Sequence, residues 1–404
     1  MASTPTHIDA AAQQTAASTT GSLLVSLPPL PNGSFDAMLA SLAAAFPTQT
    51  VLVATPAAAP NGTTHAAPDN IQLVPYTPAA TSTTNWVLTA ADYLNTFKGA
   101  EQAQAGACLL LGAECQSLAP DAIRALAASI TGSNADLAIA RYNLGPREGL
   151  VNSAILYPLT RALFCVRARY PLAIDLGLSP RMAERLAATA QKFISANQND
   201  ALLWPAAEAA CANYSIAEVD IGSRTLPQPG TADLNTLLTQ IAGSLFAEVD
   251  ARAAFWQRTR GGQPVLPVDL SASLTETHDI APMLEAFHLA YANLHEIWSL
   301  VLPPNSLLGL KRLSVTPADS FNMPDNLWAR IVYDFALAYR LRTINRGHLL
   351  GALTPLYLAW VASHLVLTGN GTPPEKHIQD LAAAFEADKP YLVSRWRWPD
   401  RFNP

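Results

Sequence analysis

Five short apolar runs, separated by stretches of helical periodicity, constrain what this 404-residue chain can fold into. They are SLLVSL (22–27), TVLVA (50–54), IQLV (71–74), ACLLL (107–111) and DLAIARY (136–142). Each is short for a helix, and most are apolar throughout rather than alternating, as strands buried on both faces are. Between them, residues 35–46 carry Phe35, Met38, Leu39, Leu42 and Phe46 at helical spacing, and 86–104 has the same periodicity. Residues 120–130 open with Pro120 in a helical first turn, where the missing N–H costs nothing. Strand and helix alternating at these intervals predict an α/β domain built on a mostly parallel sheet. Ligands of such sheets sit beyond the carboxyl ends of the strands, where the strand order reverses. The loops after Leu27, Ala54 and Leu111 are therefore where chemistry is expected.

From about Asn235 the pattern changes to long amphipathic stretches at 235–258, 283–302, 327–343 and 348–367, with a last helix near 376–389. A Pro-containing loop is expected at 303–324 and no strand anywhere in this half. Three parts result: an Ala/Thr/Ser-rich tail at 1–20, read as disordered, an α/β domain at 21–234 and a helical domain at 235–404. No internal repeat is visible.

Half of the chain is hydrophobic and its net charge is −6, so there is no electrostatic case for nucleic acid as a partner. The tail has neither a basic segment nor an apolar one, which argues against a signal peptide and for a cytoplasmic protein. The apolar run at 349–367 is long enough to span a membrane, but it contains Pro355 and His364 and reads as a buried core helix. Cys108, Cys115, Cys165 and Cys211 show no metal-finger spacing and are read as reduced thiols. P-loop, dinucleotide and serine-hydrolase motifs are absent. Glu285 and His288 share a helix face, but the second such pair that a di-iron site requires is missing.

One block carries more information: YNLGPREGLVNSAILYPLTRALFCVRARYPLAIDLG, residues 142–177. Glu148-Gly149, Asn152, the stretch from Tyr157 to Leu163 and the Asp175-x-Gly177 turn resemble the middle of retaining GT-A glycosyltransferases of bacteria, the group of mannosylglycerate and glucosyl-phosphoglycerate synthases. The resemblance extends to 222–258, to WARIVYDFALAYRLRTIN and to KPYLVSRWRWPDRFNP. It implies a GT-A domain that transfers a hexose from a nucleotide-diphosphate sugar to a small hydroxylated acceptor. Asp175, Glu148 and Asn152 would arrange sugar and acceptor, while Pro28 and Arg224 would contact the nucleotide. In the family an Asp-x-Asp at a strand end holds Mg²⁺ or Mn²⁺, which offsets charge building on the departing diphosphate. Here that motif has degenerated to Gly112-Ala113-Glu114, leaving Glu114 as the metal candidate. Acids or a His that the family pattern places near Ala54, Leu202 and Leu226 are absent as well. A catalytically inactive homologue that binds a sugar or a partner is therefore the alternative. A homo-oligomer is compatible with either reading.

Overall fold

The computed structural model describes residues 22–56, 67–145, 147–230, 232–259 and 279–399. The tail expected at 1–20 lies outside the described residues. Seven strands form one sheet: β1 (Leu23–Ser26), β2 (Val51–Pro56), β3 (Ile71–Tyr76), β4 (Ala107–Leu111), β5 (Leu137–Arg141), β6 (Asp175–Leu178) and β7 (Ile216–Asp220). Their order across the sheet is β3-β2-β1-β4-β6-β5-β7. All neighbours pair in parallel except β6, which runs antiparallel to both β4 and β5. The order reverses at β1, flanked by β2 and β4, so the fold's switch point lies beyond Ser26 and Leu111. Because β6 is inverted, its first residue, Asp175, sits at this same edge, opposite Leu111.

The helices of this half are α1 (Asn32–Ala45), α2 (Ala90–Gln102), α3 (Pro120–Thr131), α4 (Tyr157–Phe164), α5 (Pro180–Ser195) and α6 (Pro205–Cys211). A π-helical turn, Asn152–Leu156, leads into α4. Helices cover both faces of the sheet. Val25, Leu109 and Gly177 share one row of the register, and a Cβ on Gly177 would meet Ile130 of α3 at 2.8 Å. Leu24, one residue out of phase with Val25, lies against Gly99 of α2. Two-sided burial explains why the strands read as continuous apolar runs.

Five strands were expected and seven are present among the described residues. The segment read as an Asp-x-Gly turn is instead β6, four residues long and buried throughout. Its glycine is not a turn residue; it admits the close approach of α3. β7, with only one buried residue, is an edge strand without the apolar run that marks the others.

The second half is helical, with no strand among its described residues. It comprises α7 (Leu234–Ala251), α8 (Ala253–Trp256), α9 (Ala281–Asn293), α10 (His295–Val301), α11 (Pro304–Leu313), α12 (Asp325–Leu341), α13 (Arg346–Gly369) and α14 (Pro374–Arg397). The expected loop at 303–324 thus contains α11, which Pro304 opens in its first turn. The single stretch expected at 283–302 breaks between α9 and α10. Among the described residues α13 is the one helix long and apolar enough to cross a membrane, and 72% of its apolar window is buried within the protein.

The two halves share one continuous apolar cluster, stitched by polar contacts onto α4 and its π-turn. Trp328 Nε1 donates to the Ala154 carbonyl at 2.8 Å. Arg161 forks onto Glu386 with two 3.0 Å bonds, and Arg169 meets Glu375 at 3.2 Å. Beneath this seam lies a buried stack of Trp360, His364 and His377. His377 Nε2 is 3.1 Å from Asp325 Oδ1, and the two histidine Nδ1 atoms are 2.8 Å apart. If His377 donates to the carboxylate, its Nδ1 must accept, so His364 donates from Nδ1.

Burial, with His377 and then Arg169 nearby, holds the His364 imidazole down to about 3. A folded-state value below the ordinary 6.5 means that stability is full above that pH and is lost as pH falls. Chemical denaturation should therefore show stability dropping with a slope of about 1.4 kcal/mol per pH unit from this group below pH 6.5. In a His364→Phe variant that acid slope should shrink; an unchanged slope would assign it to other groups.

Candidate functional site

Loops from distant parts of the chain meet at the carboxyl edge of the sheet. Pro28 follows β1 and is half-buried, Gly112–Glu114 follows β4, Tyr142 closes β5, Asp175 opens β6 and Arg224 follows β7. Among the residues expected to carry function, three positions are joined by direct contacts: Asp175, Arg224 and the backbone of 112–113. Glu148 and Asn152 bond elsewhere.

Asp175 is completely enclosed. Its Oδ1 accepts from the Gly112 amide at 3.1 Å and from Arg224 Nη2 at 3.0 Å. Its Oδ2 accepts from the Tyr142 hydroxyl at 3.2 Å, and that hydroxyl in turn accepts from the amides of Ile174 and Asp175. Arg224 Nε lies 2.6 Å from Oδ2, yet its N–H is aimed at no acceptor. With the Nη2–Oδ1 bond, this sets guanidinium and carboxylate side by side, each carboxylate oxygen facing one guanidinium nitrogen. Burial pushes the Asp175 carboxyl above its usual range, and Arg224 is the chief group drawing it back down.

Arg224 does more than pair with Asp175. Nη2 donates to the Ala113 carbonyl at 2.8 Å and the Gly112 carbonyl at 3.3 Å, and Nη1 donates to the Thr225 carbonyl at 2.7 Å. The Thr225 amide donates to the Ser117 hydroxyl, which donates to the Glu114 carbonyl. Through these bonds the loop after β7 is clamped to the turn after β4.

Glu114 has a left-handed backbone, φ +62°, unusual for a side chain with a Cβ. Its carboxylate is exposed and accepts from Gln116 Nε2 at 2.7 Å. A Cβ at Gly112 would meet the Ile174 carbonyl at 2.9 Å, so the position at which the resemblance would put an Asp has no room for one. Among the described residues no group of three or more His, Cys, Asp or Glu side chains could hold a metal ion. One exposed carboxylate and a glycine too crowded for a second, beside an arginine bonded to the carbonyls of 112 and 113, do not fit Mg²⁺ or Mn²⁺.

Glu148 sits in an exposed loop, where its Oε2 accepts from the Gly145 amide at 2.8 Å. Asn152 is buried and donates to the Arg169 carbonyl at 2.8 Å. Asp200, next to the Leu202 position, accepts from the hydroxyls and amides of residues 82–84. That carboxylate pins a loop, and those bonds hold it below the usual range despite partial burial. Sequence reasoning did not single out Tyr142, whose hydroxyl supports the start of β6. Its only sequence signal is a phenol ending an apolar strand.

No family model matches this chain, and no curated protein matches it. Solved structures do. Glucosyl-3-phosphoglycerate synthase from Mycobacterium tuberculosis in complex with phosphoglyceric acid is similar at 14% identity and a TM-score of 0.34, over 56% of this chain and 80% of that one. The same enzyme with Mn²⁺, UDP-glucose and phosphoglyceric acid is similar at 14% identity and a TM-score of 0.35, over 63% and 84%. A mycobacterial protein gives 13% identity and a TM-score of 0.35, over 56% and 74%. Likeness at this level decides neither activity nor ligand, and the reading of the site rests on its own geometry.

Replacing Gly112 by Ala should cost about 1–3 kcal/mol through overpacking against Ile174. It should appear as a lower urea midpoint at unchanged slope. Gly112→Asp should be at least as destabilised and gain no metal response; a stable, Mn²⁺-responsive Gly112→Asp protein would contradict this account of the crowding.

Proposed function

We propose that this chain is a GT-A-type scaffold which binds a nucleotide-diphosphate sugar at the carboxyl edge of its sheet, and in which metal-assisted sugar transfer has been lost. The observation behind it is the state of Asp175: no exposure and both oxygens engaged by Arg224, Gly112 and Tyr142. A carboxylate so enclosed cannot face a sugar, and its partner arginine occupies the space beside the strand end. The chain then acts as a sugar- or partner-binding module, with Pro28 lining the nucleotide side of the switch point. In this reading residues 21–234 form the binding domain, 235–404 form a helical domain that braces it, and the protein works in the cytoplasm, alone or as a homo-oligomer.

A second reading, hexose transfer to a small hydroxylated acceptor, is favoured by one observation. Glu148 presents an exposed carboxylate in the loop after β5, on the same edge of the sheet. Such a group could bind or orient an acceptor hydroxyl, with Asn152 fixing the loop from below through the Arg169 carbonyl.

Calorimetry with UDP- and GDP-sugars, with EDTA or with Mn²⁺, separates the two. The binding-module reading expects uptake of one nucleotide sugar, equal in both conditions, with no release of nucleoside diphosphate on incubation with hydroxylated acceptors. Sustained nucleotide release establishes the transferase reading instead, and Glu148→Gln should then raise KM for the acceptor. Absence of binding to any nucleotide sugar in either condition would end both.

A further inference from the structure

Away from the Asp175–Arg224 site, a cavity of about 650 Å³ lies between the two halves, walled by α5 and α6 on one side and by α7 and α12 on the other. Its volume falls within the roughly 300–1,000 Å³ of small-molecule sites. Gly243, Ala247 and Ala251 recur at every fourth position of α7 and keep that wall shallow. Phe193 and Leu202 add apolar surface from α5 and the loop after it. Three carboxylates line the cavity and, among the described residues, no Lys or Arg does. Two of these acids are already engaged. Asp200 is taken up by residues 82–84, and Glu208 by Arg185 at 2.9 Å, Thr189 at 3.3 Å and Arg252. Glu248 accepts from Arg252 through Oε1 at 3.0 Å, while its Oε2 meets no donor among the described residues. Tyr339 also lines the cavity and is only 9% exposed. Its hydroxyl would lie 3.9 Å from a Cβ on Gly243 and has no hydrogen-bond partner among the described residues. A buried phenol ordinarily has one.

We infer that this cavity binds a small hydroxylated amine, with its ammonium on Glu248, its apolar body along Ala247 and Phe193, and its hydroxyl at Tyr339. Gly243, beneath the Tyr339 hydroxyl, and Glu248 are five residues apart on α7, about 7.5 Å along the helix axis. The two free groups therefore serve opposite ends of one molecule. Carboxylates without a lining cation repel an anionic ligand, so a nucleotide sugar does not belong here, and the inference does not rest on the function proposed above. Burial holds the Glu248 carboxyl up to about 7. The other titratable groups nearby are Arg252, Glu208 and Cys211 of α6, Arg185 of α5 and the Asp250–Arg340 pair between α7 and α12. A bound cation favours the ionised carboxylate, so its uptake near neutral pH releases a proton from Glu248.

The test is calorimetry and thermal unfolding of the full chain with tyramine, which carries an ammonium and a hydroxyl at opposite ends of an apolar body. Three relatives of the same shape serve as comparisons: phenethylamine lacks the hydroxyl, tyrosol replaces the ammonium by an alcohol, and 4-hydroxyphenylacetate replaces it by a carboxylate. Tyramine should raise the unfolding temperature and bind about tenfold or more tightly than tyrosol. Phenethylamine should be weaker than tyramine, and the acid should not bind. Titrations of tyramine in two buffers of different ionisation heat should register the released proton. Glu248→Gln should lose both that proton and the preference for tyramine over tyrosol. Tyr339→Phe should unfold at the wild-type temperature, since its hydroxyl has no partner to lose, and should bind tyramine no better than phenethylamine. Ala247→Phe, at an exposed position of the wall, fills the space without disturbing the core and should abolish uptake. No uptake of tyramine by wild type, equal uptake of tyrosol or of the acid, or uptake that survives in Ala247→Phe overturns the inference. Failure of UDP-glucose to bind removes only the nucleotide-sugar reading and leaves the amine result standing.

Discussion

The pairing of Asp175 with Arg224 is the contact on which the carboxyl edge of the sheet depends. An ion pair without solvent access is a costly thing to build, because each charge gives up its hydration, and it persists only when nearly every donor and acceptor is used. Here the neighbours supply what is needed: an amide from the β4 turn, a phenol from β5 and three carbonyls. Removing one partner leaves the other charge buried alone, which in comparable cases costs about 3–5 kcal/mol. The edge is thus held by a charge that belongs to the chain itself, and the inverted direction of β6 is what brings Asp175 there.

Much of the fold was legible in the sequence for a simple physical reason. Strands buried on both faces are apolar along most of their length, so β1, β2, β4 and β5 announce themselves. β6 and β7 do not. β6 is four residues long and contains an Asp and a Gly, both uncommon in strands. Its placement between β4 and β5 is a tertiary fact that no local pattern encodes. α11 was missed because its flanking prolines look like loop punctuation, although Pro304 is a helix opener.

The site was legible in part. Asp175, Arg224 and the strand end at Gly112–Glu114 could each be picked out as residues worth watching. Their mutual arrangement could not, because Asp175 and Arg224 are 49 positions apart and meet only through the sheet. The sequence also does not reveal that Gly112 is confined by Ile174, a contact between the residue after β4 and the residue before β6. The absence of an acid at that position is visible; the crowding that excludes one is not.

The seam between the sheet half and the helical half has a bearing on how the chain acquires its structure. Arg161 and Glu386 are separated by 225 positions, and Tyr157 and Gln379 by 222. Each such contact closes a very long loop, so its entropy must be spent before any reward is gained. During synthesis α4 and its π-turn emerge long before α14, the helix that covers them. Until then Tyr157 and Arg161, both buried in the finished protein, have each other but lack Gln379 and Glu386. The sheet can assemble from contacts within the first half, but the flank carrying α4 stays open to wrong neighbours until α14 packs on it.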